Sequence, residues 1–133
     1  MAQQKERTSG GVRTGAGTSK SIRYAQEITS TDEQPERPGR SLVTSDHEVI
    51  RQWGERRDAA PATISGTEHN GRAGVLTFDF PLGNRGGRLR RITWDEWFRA
   101  FDERNLNFLY QEERKDGRQS NFFRLESPCR EDA

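Results

Sequence analysis

The chain has 133 residues, with 29% in the hydrophobic set, 32% charged and a formal net charge of +1. That length and a mean hydropathy of -1.10 exclude a (β/α)8 barrel, which takes about 250 residues, and no run approaches the ~20 apolar residues of a membrane-spanning helix. The near-balanced charge favours neither nucleic acid nor an acidic surface as a partner.

Residues 1–42 are expected to form a disordered N-terminal arm. Thr8-Ser9-Gly10-Gly11 and Thr14-Gly15-Ala16-Gly17-Thr18-Ser19 have the composition of flexible linkers, and Pro35 and Pro38-Gly39 break helices. The sizeable apolar groups are Val12, Ile22, Tyr24, Ile28 and Leu42, too few to offset about 1–2 kcal/mol of ordering entropy per residue. A short strand or turn around Ile22–Ile28 is the one element expected to dock. Lys5, Arg7, Arg13, Lys20 and Arg23 stand against Glu6 alone, whereas Glu27, Asp32, Glu33 and Glu36 outnumber Arg37 and Arg40. The arm therefore has a basic half and an acidic half. No apolar core of a signal peptide stands in residues 1–30, so the cytoplasm is the expected compartment.

Composition changes at Val43, where a folded domain over 43–126 is expected to begin. Every aromatic side chain except Tyr24 lies beyond this point. Ser45 and Glu48 have the spacing of a capping box, with Asp46 favoured by the helix dipole. Val49, Ile50 and Trp53 then share one face of a helix running to about Arg57. A hairpin follows, its strands Ala62–Ser65 and Val75–Phe80 joined at His69-Asn70-Gly71-Arg72. Asn-Gly supplies the positive φ that tight turns demand. Leu76, Phe78 and Phe80 alternate and are expected to face the helices. A short edge strand is expected at Leu89–Ile92.

A second capping box, Thr93 and Glu96, opens a helix ending near Arg104, with Trp94, Trp97, Phe98 and Phe101 as its apolar stripe. A second hairpin joins Phe108–Gln111 to Asn121–Leu125 through Lys115-Asp116-Gly117-Arg118. The two helix segments match at an offset of about 48 residues: Ser45 with Thr93, Glu48 with Glu96, Trp53 with Phe101 and Arg56 with Arg104. The expected fold is α+β: tandem αββ units (αββαββ) forming an antiparallel sheet with two helices on one face. Residues 127–133 are expected to fray as a C-terminal tail.

Chemistry-bearing motifs are sparse. His47 and His69 lack metal-ligand spacing. Cys129, the single cysteine, has no internal disulfide partner. Asp95/Glu96 and Asp102/Glu103 are helix neighbours that point in different directions, so neither is an acid/base dyad, and Glu112/Glu113 is taken as a solvated face. No catalytic residue, cofactor site or metal site is predicted, and the chain is expected not to be an enzyme. Gly83-Asn84-Arg85-Gly86-Gly87-Arg88 is glycine-rich without a phosphate-loop signature. The strongest chemical signal is the cationic group Arg85, Arg88, Arg90 and Arg91, which suits loose contact with nucleic-acid phosphates. Arg56-Arg57 and Arg114-Lys115 would extend it; Asp79, Asp95 and Glu96 would neutralise it.

The stretch Thr44–Glu126 resembles a family of small bacterial proteins of unknown function. The residues that carry this are Ser45-Asp46-His47, Ile50-Arg51-Gln52-Trp53, Pro61-Ala62-Thr63-Ile64, Phe78-Asp79-Phe80-Pro81, Ile92-Thr93-Trp94-Asp95-Glu96-Trp97-Phe98 and the run Phe101–Gln111. Some members carry the label of 1,4-alpha-glucan branching enzyme, which implies a multidomain barrel glycosidase larger than this chain. The resemblance implies no catalytic residue. A small non-enzymatic binding or adaptor domain with an unidentified protein partner is the expected function. The alternative is a nucleic-acid-binding accessory protein working through Arg85, Arg88, Arg90, Arg91 and the basic arm. No membrane partner is expected.

Overall fold

The computed structural model describes residues 12–15, 17–81 and 88–128. The elements are α1 (Lys20–Tyr24), β1 (Gln26–Glu27), β2 (Leu42–Thr44), α2 (His47–Arg56), β3 (Ala60–Ile64), β4 (Leu76–Asp79), β5 (Leu89–Arg91), α3 (Trp94–Glu103), β6 (Asn107–Tyr110) and β7 (Phe123–Glu126). This is an α+β fold. From α2 onward the predicted order αββαββ is present, with β5 inserted before α3. The predicted single sheet is corrected. The strands form two sheets, one ordered β1-β2-β6-β7 and the other β4-β3-β5. The reason lies in β2, a fully buried strand that takes β6 as its antiparallel partner, pairing Leu42 with Tyr110 and Thr44 with Phe108. The second hairpin is thereby held in a sheet with the segment before α2, not with the first hairpin. No helix among the described residues is long and apolar enough to cross a membrane.

The chain divides into two compact units, one made of residues up to Ile50 together with those from Asn105 on, the other of Arg51–Arg104. In the first unit, the described part of the arm departs from the expectation of disorder over residues 1–42. Ser19 caps α1 by accepting from the Ile22 backbone N–H. β1 then pairs parallel to β2, extended by Ile28 N–H donating to Val43 O at 2.9 Å. Ile22, Val43 and Leu109 form one buried cluster, against which Val12 and Ala25 pack. Of the five sizeable apolar groups, Tyr24 stays exposed, while Ile22, Ile28 and Leu42 are buried and Val12 is partly covered, too few for a core of their own but enough to complete that of a sheet. Farther back, the Asn107 side chain is buried and grips Arg13 from both sides. Arg13 N–H donates to its Oδ1 at 2.9 Å, and its Nδ2 donates to Arg13 O at 2.7 Å. The boundary predicted at residue 43 thus runs through a continuous sheet. Of the predicted C-terminal tail, Ser127 and Pro128 are described, and Pro128 O accepts from Gly17 N–H at 2.6 Å. The rest of that tail, with Cys129, lies outside the described residues.

In the second unit, the predicted capping box of α3 is present: Glu96 N–H donates to Thr93 Oγ1 at 3.0 Å, and Thr93 N–H to Glu96 Oε1 at 3.2 Å. Its stripe packs as expected, with Trp97 and Phe101 fully buried. The Phe78 ring of β4 stacks on Trp97 with centroids 5.1 Å apart, and Trp97 on Phe101 at 5.5 Å. Trp97 Nε1 donates to Thr77 O at 3.0 Å, so the indole is both packed and satisfied. α2 starts one residue later than predicted. Its cap is Asp46, whose Oδ2 accepts from Val49 N–H at 3.0 Å, rather than Ser45, which is buried. The end of α2 is a Schellman closure: Ala59 N–H reaches Gly54 O at 2.9 Å and Asp58 N–H reaches Glu55 O at 3.0 Å. Asp58 stands in the left-handed region with φ 56, where glycine is usual.

Candidate interaction site

The predicted cationic group falls around β5. This strand forms because β3, the central strand of its sheet, offers it a ladder: Ala62 pairs with Arg91, Thr63 with Arg90 and Ile64 with Leu89, all antiparallel. Buried Ile92 anchors the strand where it leaves the sheet, and Ile92 N–H donates to Pro61 O at 3.0 Å. Pro61 has no N–H to return, so the ladder stops there, just before the Thr93 cap. At the other end Ser65 N–H donates to Arg88 O at 2.7 Å. These two bonds fix the phase of the ladder. Arg88, Arg90 and Ile92 turn their backbone groups toward β3, so Leu89 and Arg91 turn theirs away. β5 is an edge strand. Among the described residues, the outward N–H and C=O groups of Leu89 and Arg91 have no partner.

The side chains alternate. Arg88 and Arg90 belong to one face of the strand, Leu89 and Arg91 to the other. Arg90 Nε donates to Glu68 Oε2 at 2.8 Å and Arg91 Nε to Asp79 Oδ2 at 3.0 Å. Arg90 sits beside Glu68 and holds its carboxyl below the ordinary glutamate range, with help from the Glu68 and Gly66 backbone N–H groups. Both arginines remain well exposed, their side chains 50% and 70% accessible. Arg88 is exposed and its side chain has no partner among the described residues. Arg85 lies outside the described residues. Of the expected neutralising acids, Asp79 is engaged, whereas Glu96 is committed to the α3 capping box. Glu68 was not foreseen; it lies 22 residues from Arg90 in sequence, and no local motif links the two.

Of the residues expected to extend this group, Arg57 is withdrawn from the surface, with its guanidinium 4.3 Å from the Trp53 ring centroid. Arg56 donates to Gln52 Oε1 at 2.6 Å, and Arg114 pairs with Asp116 at 3.2 Å. Asp116 is held below the ordinary aspartate range, first by the Arg118 backbone N–H and then by Arg114. The predicted hairpin turn at His69–Arg72 is present, closed by reciprocal backbone bonds, with Asn70 and Gly71 both at positive φ. His69 is therefore a turn residue, and His47 opens α2. Among the described residues, no group of three or more His, Cys, Asp or Glu is placed to hold a metal ion.

A cavity of about 500 Å³ opens in the first unit beside Val12, Ile22 and Val43. Its charged rim is already engaged internally: Glu27 accepts from Val12 N–H at 3.1 Å, and Arg23 Nε donates to Thr18 O at 3.3 Å. β5 is thus a place where exposed arginines and open backbone coincide among the described residues. No family model, curated protein or solved structure matches this chain.

Proposed function

We propose that the chain is a small non-enzymatic binding or adaptor module, and that a protein is its partner. The observation that carries this reading is the division of the β5 cations. Arg90 and Arg91 stand on opposite faces of one strand, with Arg88 on the same face as Arg90. A phosphate backbone is bound by cations converging on one surface, and this arrangement supplies a charged edge instead. The lone Cys129 suits a reducing compartment such as the cytoplasm. In the same reading, Thr44–Glu126 belongs with the small bacterial proteins it resembles.

The test is an affinity pull-down from the source organism with and without nuclease. A partner protein retained after nuclease treatment is the expected result. Loss of all captured material on nuclease treatment overturns the reading in favour of nucleic acid bound through Arg88, Arg90, Arg91 and Arg85.

A further inference from the structure

We propose that the outer edge of β5 is a strand-addition site for an extended acidic peptide segment, which joins the sheet as a fourth strand beside Leu89–Arg91. This rests on the binding-module reading and gives its partner a chemistry. Main-chain groups supply one half of the recognition. The N–H and C=O groups of Leu89 and Arg91 point away from β3 and have no partner among the described residues, so an added strand finds four unfilled hydrogen-bonding positions in register. Both existing pairings in this sheet are antiparallel, and a strand added in the same sense continues their twist.

Side chains supply the other half. Arg88, Arg90 and Arg91 outnumber Glu68 and Asp79, the carboxylates already held there. The two existing ion pairs are exposed, and such pairs are weak enough for an arginine to exchange one carboxylate for another. Opposite charges directly across a strand pair attract, and like charges repel. A second copy of this chain offering its own β5 would set arginine against arginine, which is how a charged edge resists self-association. The partner therefore carries acids opposite Arg88, Arg90 and Arg91 and an apolar residue opposite Leu89. Run antiparallel, that is the order acid-acid-apolar-acid. Nucleic acid cannot use the open backbone positions in this way, because it has no alternating donors and acceptors at strand spacing.

The experiment titrates a synthetic peptide with a Glu-Glu-Val-Glu core flanked by threonines into the full chain, following amide resonances, beside a Lys-Lys-Val-Lys control and oligothymidylate. The expected result is perturbation centred on Leu89 and Arg91 with the acidic peptide and none with the control. Leu89→Pro removes an outward N–H without touching a bond to β3 and abolishes the binding. Arg88→Glu weakens it about 10-fold, replacing an attractive cross-strand pair by a repulsive one. If Leu89→Pro melts abnormally, Arg88→Glu alone decides.

The proposal is overturned if no β5 amide moves up to millimolar acidic peptide, if both peptides bind alike, or if neither substitution alters binding. Perturbation of these amides by oligothymidylate alone also overturns it. So does a shift that grows with protein concentration without peptide, which would identify a second copy. Capture of a nuclease-resistant partner by a folded Leu89→Pro chain leaves the module reading intact and removes the edge assignment.

Discussion

The Arg57 guanidinium stacks over the Trp53 indole at 4.3 Å, and its Nη1 donates to the carbonyl of the same tryptophan at 2.8 Å. Both side chains are buried, at 6% and 0% exposure. A desolvated cation–π contact contributes about 2 kcal/mol or more. The stem of the arginine adds apolar cover. Arg57→Ala is expected to lower unfolding stability in urea by about that amount or more. Arg57→Lys should recover only part, because an ammonium lacks the planar stacking surface. Equal stability of Arg57→Ala and the parent chain would show that the stack contributes nothing.

Trp97 is the hub of the second unit, touching Phe78, Trp94, Phe98 and Phe101. Truncating a core aromatic to Ala costs about 3–5 kcal/mol, against a total of roughly 5–15 kcal/mol for a typical domain. Trp97→Ala should therefore leave at most a weak cooperative transition on calorimetry. It also removes the donor to Thr77 O. An unchanged melting curve would contradict the packing of α3 against β4.

Asp58 occupies the left-handed position that closes α2, with φ 56. A non-glycine residue there is strained by about 1–2 kcal/mol, and less for Asp. Asp58→Gly relieves the strain and keeps both closing bonds, so it should raise Tm by ~2–4 °C. A fall in Tm would mean that the Asp58 side chain stabilises the turn by more than its backbone costs.

The Asn107 side chain makes strand-like bonds to Arg13, and a buried amide left without partners costs about 1–3 kcal/mol. Asn107→Ala removes both bonds and should expose the Arg13 amide to exchange with solvent. Hydrogen exchange is the measurement. Protection at Arg13 that survives the substitution would assign the anchoring to Arg13 Nη1, which donates to Leu106 O at 2.9 Å.

Glu68 has a lowered pKa, with the hydrogen bond from Arg90 as the leading cause. Its folded-state value lies below its unfolded value, so what it contributes to stability is present above the unfolded pKa, ~4.3, and lost as pH falls through the folded one. Carboxyl NMR titration should put its midpoint below that of an unpaired glutamate, and Arg90→Ser should move it upward. A midpoint unaffected by Arg90→Ser would remove the ion pair as its cause.

Local signals were legible in the sequence. Thr93 and Glu96 cap each other, Asn70-Gly71 closes its turn, and Trp97 and Phe101 are buried as their spacing predicts. Each of these is decided within a few residues of chain. The pairing of Leu42 with Tyr110 is not, and with it went the number of sheets. Ile22 looked too isolated to order a segment because the surface it completes, Val43 and Leu109, comes from elsewhere in the chain. At the candidate site, the cationic cluster and the edge strand were both visible. The partners of Arg90 and Arg91 depended on strand order, and the outward phase of Leu89 depended on a ladder that no single-strand pattern encodes.

Because the Arg51–Arg104 unit interrupts the other one, the two have different routes to the native state. The interrupting unit is contiguous, and all its strand pairings lie between Ala60 and Arg91. The interrupted unit cannot form its β2–β6 ladder until the whole of residues 51–104 has been spanned, which carries a loop-closure cost that a compacted intervening segment reduces. During synthesis, α1, β1 and β2 emerge first and must wait for β6 and β7. β1 finds β2 close by in the chain, whereas the other side of β2 stays open until the whole Arg51–Arg104 unit has followed it.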